Sequence, residues 1–142
     1  AGISMRVRVL STERYWFDGP SALSPVDFAV GWGRVSDQAV VDQIGYGQGG
    51  RWYRYWPKGR EFPIPAGEIA SHSANMHMIP AGDAILKTLR NVRRGDLISL
   101  DGDLVSVSGP GGWRWETSLS RTDTGNGACE IVWVRRIDIH RR

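Results

Sequence analysis

Near the start of the chain, Met5-Arg6-Val7-Arg8-Val9-Leu10 alternates apolar with basic residues, the period of a half-buried strand with Val7 and Val9 facing inward. Ser11-Thr12-Glu13-Arg14 is polar, Tyr15-Trp16-Phe17 forms an aromatic cluster, and Asp18-Gly19-Pro20 signals a turn. Ser24-Pro25-Val26-Asp27 has proline where a helix starts, so Phe28-Ala29-Val30 is expected to form one apolar helical turn before Gly31-Trp32-Gly33 stops it. A second short helix is expected over residues 37–44, with Ser36 or Asp37 as the cap and Val40, Val41 and Ile44 as its stripe. Tyr46-Gly47-Gln48-Gly49-Gly50 reads as a turn. It leads into the strand Arg51-Trp52-Tyr53-Arg54-Tyr55-Trp56, with Trp52, Arg54 and Trp56 on one face and Arg51, Tyr53 and Tyr55 on the other.

Three prolines make residues 57–67 an irregular connection to a short strand expected at 68–72. That strand delivers a polar loop, Ser71-His72-Ser73-Ala74-Asn75-Met76-His77-Met78-Ile79-Pro80-Ala81. The clearest helix is predicted at about residues 80–92, opened by Pro80, with Ile85, Leu86, Leu89 and Val92 at helical spacing. Asp83 suits the positive end of its dipole, and Arg90, Arg93 and Arg94 the negative end. After Gly95-Asp96, the runs Leu97-Ile98-Ser99-Leu100 and Asp103-Leu104-Val105-Ser106-Val107-Ser108 flank Asp101-Gly102, which predicts a hairpin with a type I′ turn. Gly109-Pro110-Gly111-Gly112 is a further turn, and Trp113-Arg114-Trp115-Glu116-Thr117-Ser118 alternates again. A polar loop follows over 120–127, and residues 129–134 with Ile137 and Ile139 close the chain as a strand. The second half is thus expected to be a helix followed by an antiparallel meander.

The resulting fold class is mainly β (α+β), in one domain spanning 1–142: a curved antiparallel sheet or OB-like barrel, with one main helix and one or two short helices in the first half. Strands before a single helix, then a hairpin entered through Arg93-Arg94-Gly95-Asp96, resemble the five-stranded Greek-key barrel of the OB type over about residues 68–134, with one strand extra. The stretches Ser24-Pro25-Val26-Asp27-Phe28, residues 72–81 and Thr122-Asp123-Thr124-Gly125 are similar to those of uncharacterised bacterial proteins, often membrane-anchored. That resemblance implies no activity and no site.

Composition narrows the choice of function. The 18 Lys and Arg against 15 Asp and Glu give a net charge of +3, too small an excess to argue for nucleic acid as the partner. Cys129 is the only cysteine, which rules out an internal disulfide and a cysteine-based zinc cluster. The Ala1-Gly2 start and the seven tryptophans fit an exported domain, so a periplasmic or membrane-anchored extracytoplasmic location is expected, with the cytoplasm as the alternative. Membrane attachment would require a segment outside this sequence, because no apolar run approaches the roughly 20 residues needed to span a bilayer.

Two functions from different classes fit these residues. The first is a non-catalytic binding or assembly module for a protein, peptide or glycan, using Trp52, Arg54 and Trp56, or His72, Ser73, Asn75 and His77, as ligand contacts, with no cofactor. The second is a small hydrolase or metal-dependent enzyme centred on Ser71, His72, Ser73, Asn75 and His77, with a histidine as base or ligand. Spacing disfavours the second, since a strand would put His72 and His77 on opposite faces and no HExxH, GxSxG or SxxK pattern is present. Asp96, Asp101 and Asp103 lack the spacing of a calcium loop. The expectation is therefore that Asn75 and His77 hold the 71–80 connection in place, on the rule that buried polar groups need partners.

Overall fold

The computed structural model describes residues 2–14, 25–49, 52–108, 114–115 and 129–140. Strands dominate: β1 (Gly2–Arg14), β2 (Val26–Gly31), β3 (Ile44–Gly49), β4 (Trp52–Pro57), β5 (Ser73–Pro80), β6 (Leu97–Leu104), β7 (Val107–Ser108), β8 (Arg114–Trp115) and β9 (Cys129–His140). Three helices accompany them, α1 (Gln38–Val41), α2 (Ala66–Ser71) and α3 (Asp83–Asn91), with a 3₁₀ turn at Gly33–Ser36. Among the described residues no helix is long and apolar enough to cross a membrane.

Five strands form one mixed sheet in the order β1-β2-β5-β9-β6, and the sheet closes because β1 pairs with β6 as well as with β2. Closure depends on the length of β1. Its first half, Gly2 to Arg8, pairs with β6, and its second half, from Arg8 onward, pairs with β2. Successive side chains of a strand point to opposite faces, so Val9 and Leu10 are buried in different clusters, and the register with β2 shifts between Val9 and Ser11. Four of the pairings are antiparallel, but β5 and β9 run parallel, from Asn75 opposite Cys129 to Pro80 opposite Val134. The wholly antiparallel sheet expected from sequence is therefore corrected to a mixed one.

Inside the closed sheet, Val7, Val9, Val26, Phe28, Val30, Met76, Met78, Ile98, Leu100, Val132 and Val134 form the main core, joined by Leu89 and Val92. A second apolar cluster contains Leu10, Ala29, Val35, Val41, Ile44, Tyr46, Ile64 and Ile69, with Tyr53 and Tyr55 against it. It packs the β3–β4 hairpin, the 3₁₀ turn, α1 and α2 onto residues of β1 and β2. Strand β2 is thus buried on both faces, with Val26, Phe28 and Val30 in one cluster and Ala29 in the other.

Several expectations change for identifiable reasons. Residues 26–31 form strand β2 rather than the expected helical turn, because alternate side chains meet two separate cores. Residues 68–72 are not a strand. They belong largely to α2, whose Glu68 and Ile69 amides both donate to the Pro65 carbonyl. The polar stretch from Ser73 to Pro80 is strand β5, not a loop. Pro80 ends that strand opposite Val134, the Ala81 amide donates to the Val134 carbonyl at 3.0 Å, and the main helix runs only from Asp83 to Asn91.

Asp101-Gly102 does not turn the chain. Strand β6 runs straight through it while the pairing with β9 slips by one residue, and a Cβ on Gly102 would overlap the Trp133 carbonyl oxygen. Strands β1, β4 and β9 and the Asp37 cap, whose carboxylate accepts from the Ala39 amide at 3.0 Å, agree with expectation, but the short helix ends at Val41, and Ile44, expected on its stripe, begins strand β3. Tyr15-Trp16-Phe17, the turns at 18–20 and 109–112, and the polar loop at 120–127 lie outside the described residues.

Of the apolar positions of α3, Leu89 is fully buried, Ile85 packs against the core from a half-buried position, and Leu86 is half-exposed. Leu89→Ala should lower stability by about 2–5 kcal/mol. Leu86→Ala should cost about 1 kcal/mol or less. Gly102→Ala should cost about 1–3 kcal/mol, because the added methyl meets backbone in a closely packed sheet. Denaturant midpoints at constant slope check all three.

Candidate functional site

Strand alternation places Ser73, Asn75 and His77 on one face of β5, while Met76 and Met78 point into the main core. Their cross-strand partners on β2 are Gly31, Ala29 and Asp27 respectively. The β3–β4 hairpin meets this face with Gln48 and Tyr53. A polar chain results: His77 Nδ1 lies 2.9 Å from Asp27 Oδ1, the Asn75 amide donates to Asp27 Oδ2 at 3.4 Å, and the Gln48 amide donates to Asn75 Oδ1 at 2.8 Å. Nearby, the Ser73 hydroxyl donates to the Ile69 carbonyl at 2.6 Å and lies 3.0 Å from the Tyr53 hydroxyl.

Burial decides what this chain can do. Asp27 is 0% exposed and His77 1%, so an ionisable pair sits in the interior with its partners built in. A substrate could not reach either side chain without displacing what covers it. Nor do the residues assemble a nucleophile: Ser73 and His77 are four positions apart on a strand, roughly 13 Å at strand rise. Asn75 and His77 lie within a sheet rather than a loop, and Asp27, Gln48 and Tyr53 are partners on this face that sequence reading missed. The signal available was the strict alternation of Ser73, Asn75 and His77 with Ala74, Met76 and Met78.

His72 belongs elsewhere. It is the C-cap of α2, and its amide donates to the Glu68 carbonyl at 3.0 Å while Nδ1 lies 2.9 Å from that same oxygen and 2.8 Å from Ser71 Oγ. A ring nitrogen facing a carbonyl satisfies it as a donor, so His72 serves the helix end and is not placed as a base for Ser71. Its ring also lies against Trp32, with centroids 6.5 Å apart. Arg34 donates from Nε and from one terminal nitrogen to the two carboxylate oxygens of Glu68, which holds the Glu68 carboxyl below the usual range. Among the described residues, no group of three or more His, Cys, Asp and Glu could hold a metal ion.

The other candidate residues lie on the opposite side of the hairpin. Register places Trp56 opposite Gly45, Arg54 opposite Gly47, and Trp52 opposite Gly49, whereas Tyr46 pairs with Tyr55 and Gln48 with Tyr53 on the inward face. A Cβ on Gly45 would overlap the Trp56 indole, so the ring occupies space that only glycine leaves open. Trp56 nevertheless stays 44% exposed, and the Arg54 guanidinium carbon sits 5.9 Å from its ring centroid. Trp133, 40% exposed on β9, is the other exposed large hydrophobic side chain among the described residues.

No family model, no curated protein and no solved structure matches this chain.

His77→Ala and Asn75→Ala should each lower stability by about 1–3 kcal/mol, the cost of stranding a buried polar group. His72→Ala, at a half-exposed helix end, should cost about 1 kcal/mol or less in the same denaturation assay.

A pH limit follows from the hairpin. Burial raises the Tyr46 phenol, first among causes, and also raises that of Tyr55. A pKa raised in the folded state gives stability that is intact below the unfolded value, about pH 10, and is lost as pH climbs beyond it. The Tyr46 hydroxyl has no hydrogen-bond partner among the described residues. Tyr46→Phe should therefore be neutral or stabilising at pH 7 and should flatten the decline above pH 10, as read from denaturant midpoints across pH.

Proposed function

We propose that this chain is a non-catalytic binding or assembly module whose contact surface is the outer face of the β3–β4 hairpin, taking a peptide or glycan. The supporting observation is the Trp56 ring, seated on the glycine face of β3, 44% exposed and partnered by Arg54. Tryptophan and arginine are the side chains that most often dominate binding energy at an interface, and a ring already held by its neighbours loses little freedom on contact. The Ser73, Asn75 and His77 side chains, by contrast, are sealed beneath the same hairpin.

We read the closed sheet as an OB-type barrel. The order β1-β2-β5-β9-β6, the parallel β5–β9 pair and the placement of α3 between β5 and β6 support this. In such barrels the face of the second and third strands takes oligonucleotides and oligosaccharides. Here those strands would be β2 and β5, and the β3–β4 hairpin inserted between them in sequence covers that face with Gln48 and Tyr53. Recognition is thereby moved from the barrel wall to the hairpin's outer side, and with a net charge of +3 nucleic acid is the weaker choice of partner.

Peptide and glycan arrays probed with the full chain test this. Trp56→Ala should weaken a retained ligand by about 2 kcal/mol, roughly thirtyfold, with the denaturation midpoint little changed. Arg54→Ala should weaken it less. Ligands indifferent to Trp56→Ala, or a hydrolytic activity abolished by His77→Ala in a folded variant, would overturn the reading. Oligonucleotide binding with a steep salt dependence, lost in Trp56→Ala, would replace the ligand class.

A further inference from the structure

Away from the hairpin's outer face, an open cleft of about 300 Å³ is lined by Arg8, Gln38, Arg93, Arg94, Gly95, Asp96 and His140. We propose that this cleft binds a phosphate group, either as free phosphate or on a small phosphomonoester. Among the described residues, three guanidiniums and an imidazole line one volume with a single carboxylate, whereas the chain as a whole is close to charge balance. That carboxylate is committed: Asp96 is buried, and its Oδ2 accepts from the Arg93 amide at 2.8 Å. Arg93 and Arg94 are exposed and form no salt bridge among the described residues.

The frame beneath these side chains is fixed. Arg8 is buried, with Nε donating to the Ser36 carbonyl at 3.0 Å and one terminal nitrogen donating to the Gly95 carbonyl at 2.9 Å. Guanidinium carries five N–H groups, so three terminal-group donors bond neither carbonyl and remain for a ligand. The 93–96 turn is pinned to β1 by the Gly95 amide donating to Val9 and the Val9 amide donating to Asp96, both at 2.8 Å. Gly95 takes φ +91°, a conformation that other residues rarely adopt, so the turn that carries Arg93 and Arg94 is set rigidly beside Arg8.

Chemistry selects the ligand. Planar guanidiniums pair with phosphate oxygens through parallel charge-assisted hydrogen bonds, and a dianion can engage several of them where a single carboxylate satisfies one. The volume is at the small end for ligand sites, which suits a phosphorylated small molecule. Uncompensated like charges in one cleft repel each other, so an anion there should also stabilise the fold.

The test is calorimetric titration of the full chain with inorganic phosphate, phenyl phosphate and benzoate at constant ionic strength. Saturable one-to-one binding of phosphate or phenyl phosphate is expected, with benzoate weaker. Arg93→Ala and Arg94→Ala should each weaken it about tenfold or more, the range for a charged hydrogen bond. Arg6→Ala removes the same charge from an exposed position that does not line the cleft and should leave affinity unchanged, as should Arg54→Ala. Equal affinity for the two phosphates would identify free phosphate as the ligand, and tighter phenyl phosphate binding would identify an ester. Absence of saturable binding, equal loss in Arg6→Ala, or benzoate binding as tightly as phenyl phosphate would overturn the proposal. So would single-stranded oligonucleotide binding more tightly than either phosphate and being lost in the Arg93 and Arg94 variants, since the cleft would then serve a polymer.

Discussion

Strand β5 has no solvent-facing side over most of its length, and its two faces make different demands. Met76 and Met78 need only apolar neighbours, which the interior of the closed sheet supplies. Ser73, Asn75 and His77 carry groups that cannot be buried without hydrogen-bond partners. Asp27 from β2 answers His77 and Asn75, and Gln48 and Tyr53 from the hairpin answer Asn75 and Ser73. The hairpin is thus held over the sheet by directional bonds as well as by the apolar contacts of Ile44, Tyr46, Tyr53 and Tyr55. Its register is specified too, because a one-residue slip would turn Gln48 and Tyr53 outward and glycines inward.

That docking divides the molecule by role. Of the residues with the most reactive appearance in sequence, Ser73 and Asn75 tie the hairpin to the sheet, and His77 pairs with Asp27 on the neighbouring strand. What the layers display is Trp56 and Arg54 on the hairpin, and a cationic cleft beside the α3–β6 turn. Arg8 belongs to both arrangements, because it ties the Ser36 carbonyl of the 3₁₀ turn to the Gly95 carbonyl while lining the cleft.

The glycines of β3 show how little sequence signal such a surface carries. Tyr46-Gly47-Gln48-Gly49-Gly50 reads as a flexible turn, since glycine is poor in strands. In the fold Ile44 to Gly49 form a strand whose missing side chains make room for the Trp56 indole and put the ring against backbone. Propensity was overridden by a contact made across the hairpin.

Some features follow from sequence alone because their causes are local. The alternation of Met5 to Leu10, the aromatic strand with its two unlike faces, the Asp37 cap and the closing strand from Cys129 all rest on periodicity or capping within a few residues, and β1, α1, β4 and β9 carry them. Tertiary structure decided the rest. The apolar residues Val26, Phe28, Ala29 and Val30 suit either one helical turn or a strand, and only the presence of a core on each side makes β2 the outcome. Asp101-Gly102 has the composition of a hairpin turn, yet the close approach of the Trp133 carbonyl uses the glycine to let β6 pass straight on. Asp27 and His77 are 50 positions apart in the chain, and nothing in either neighbourhood announces the other. Their pairing exists because β2 and β5 lie side by side in a closed sheet, a long-range consequence of strand order that local side-chain pattern does not encode.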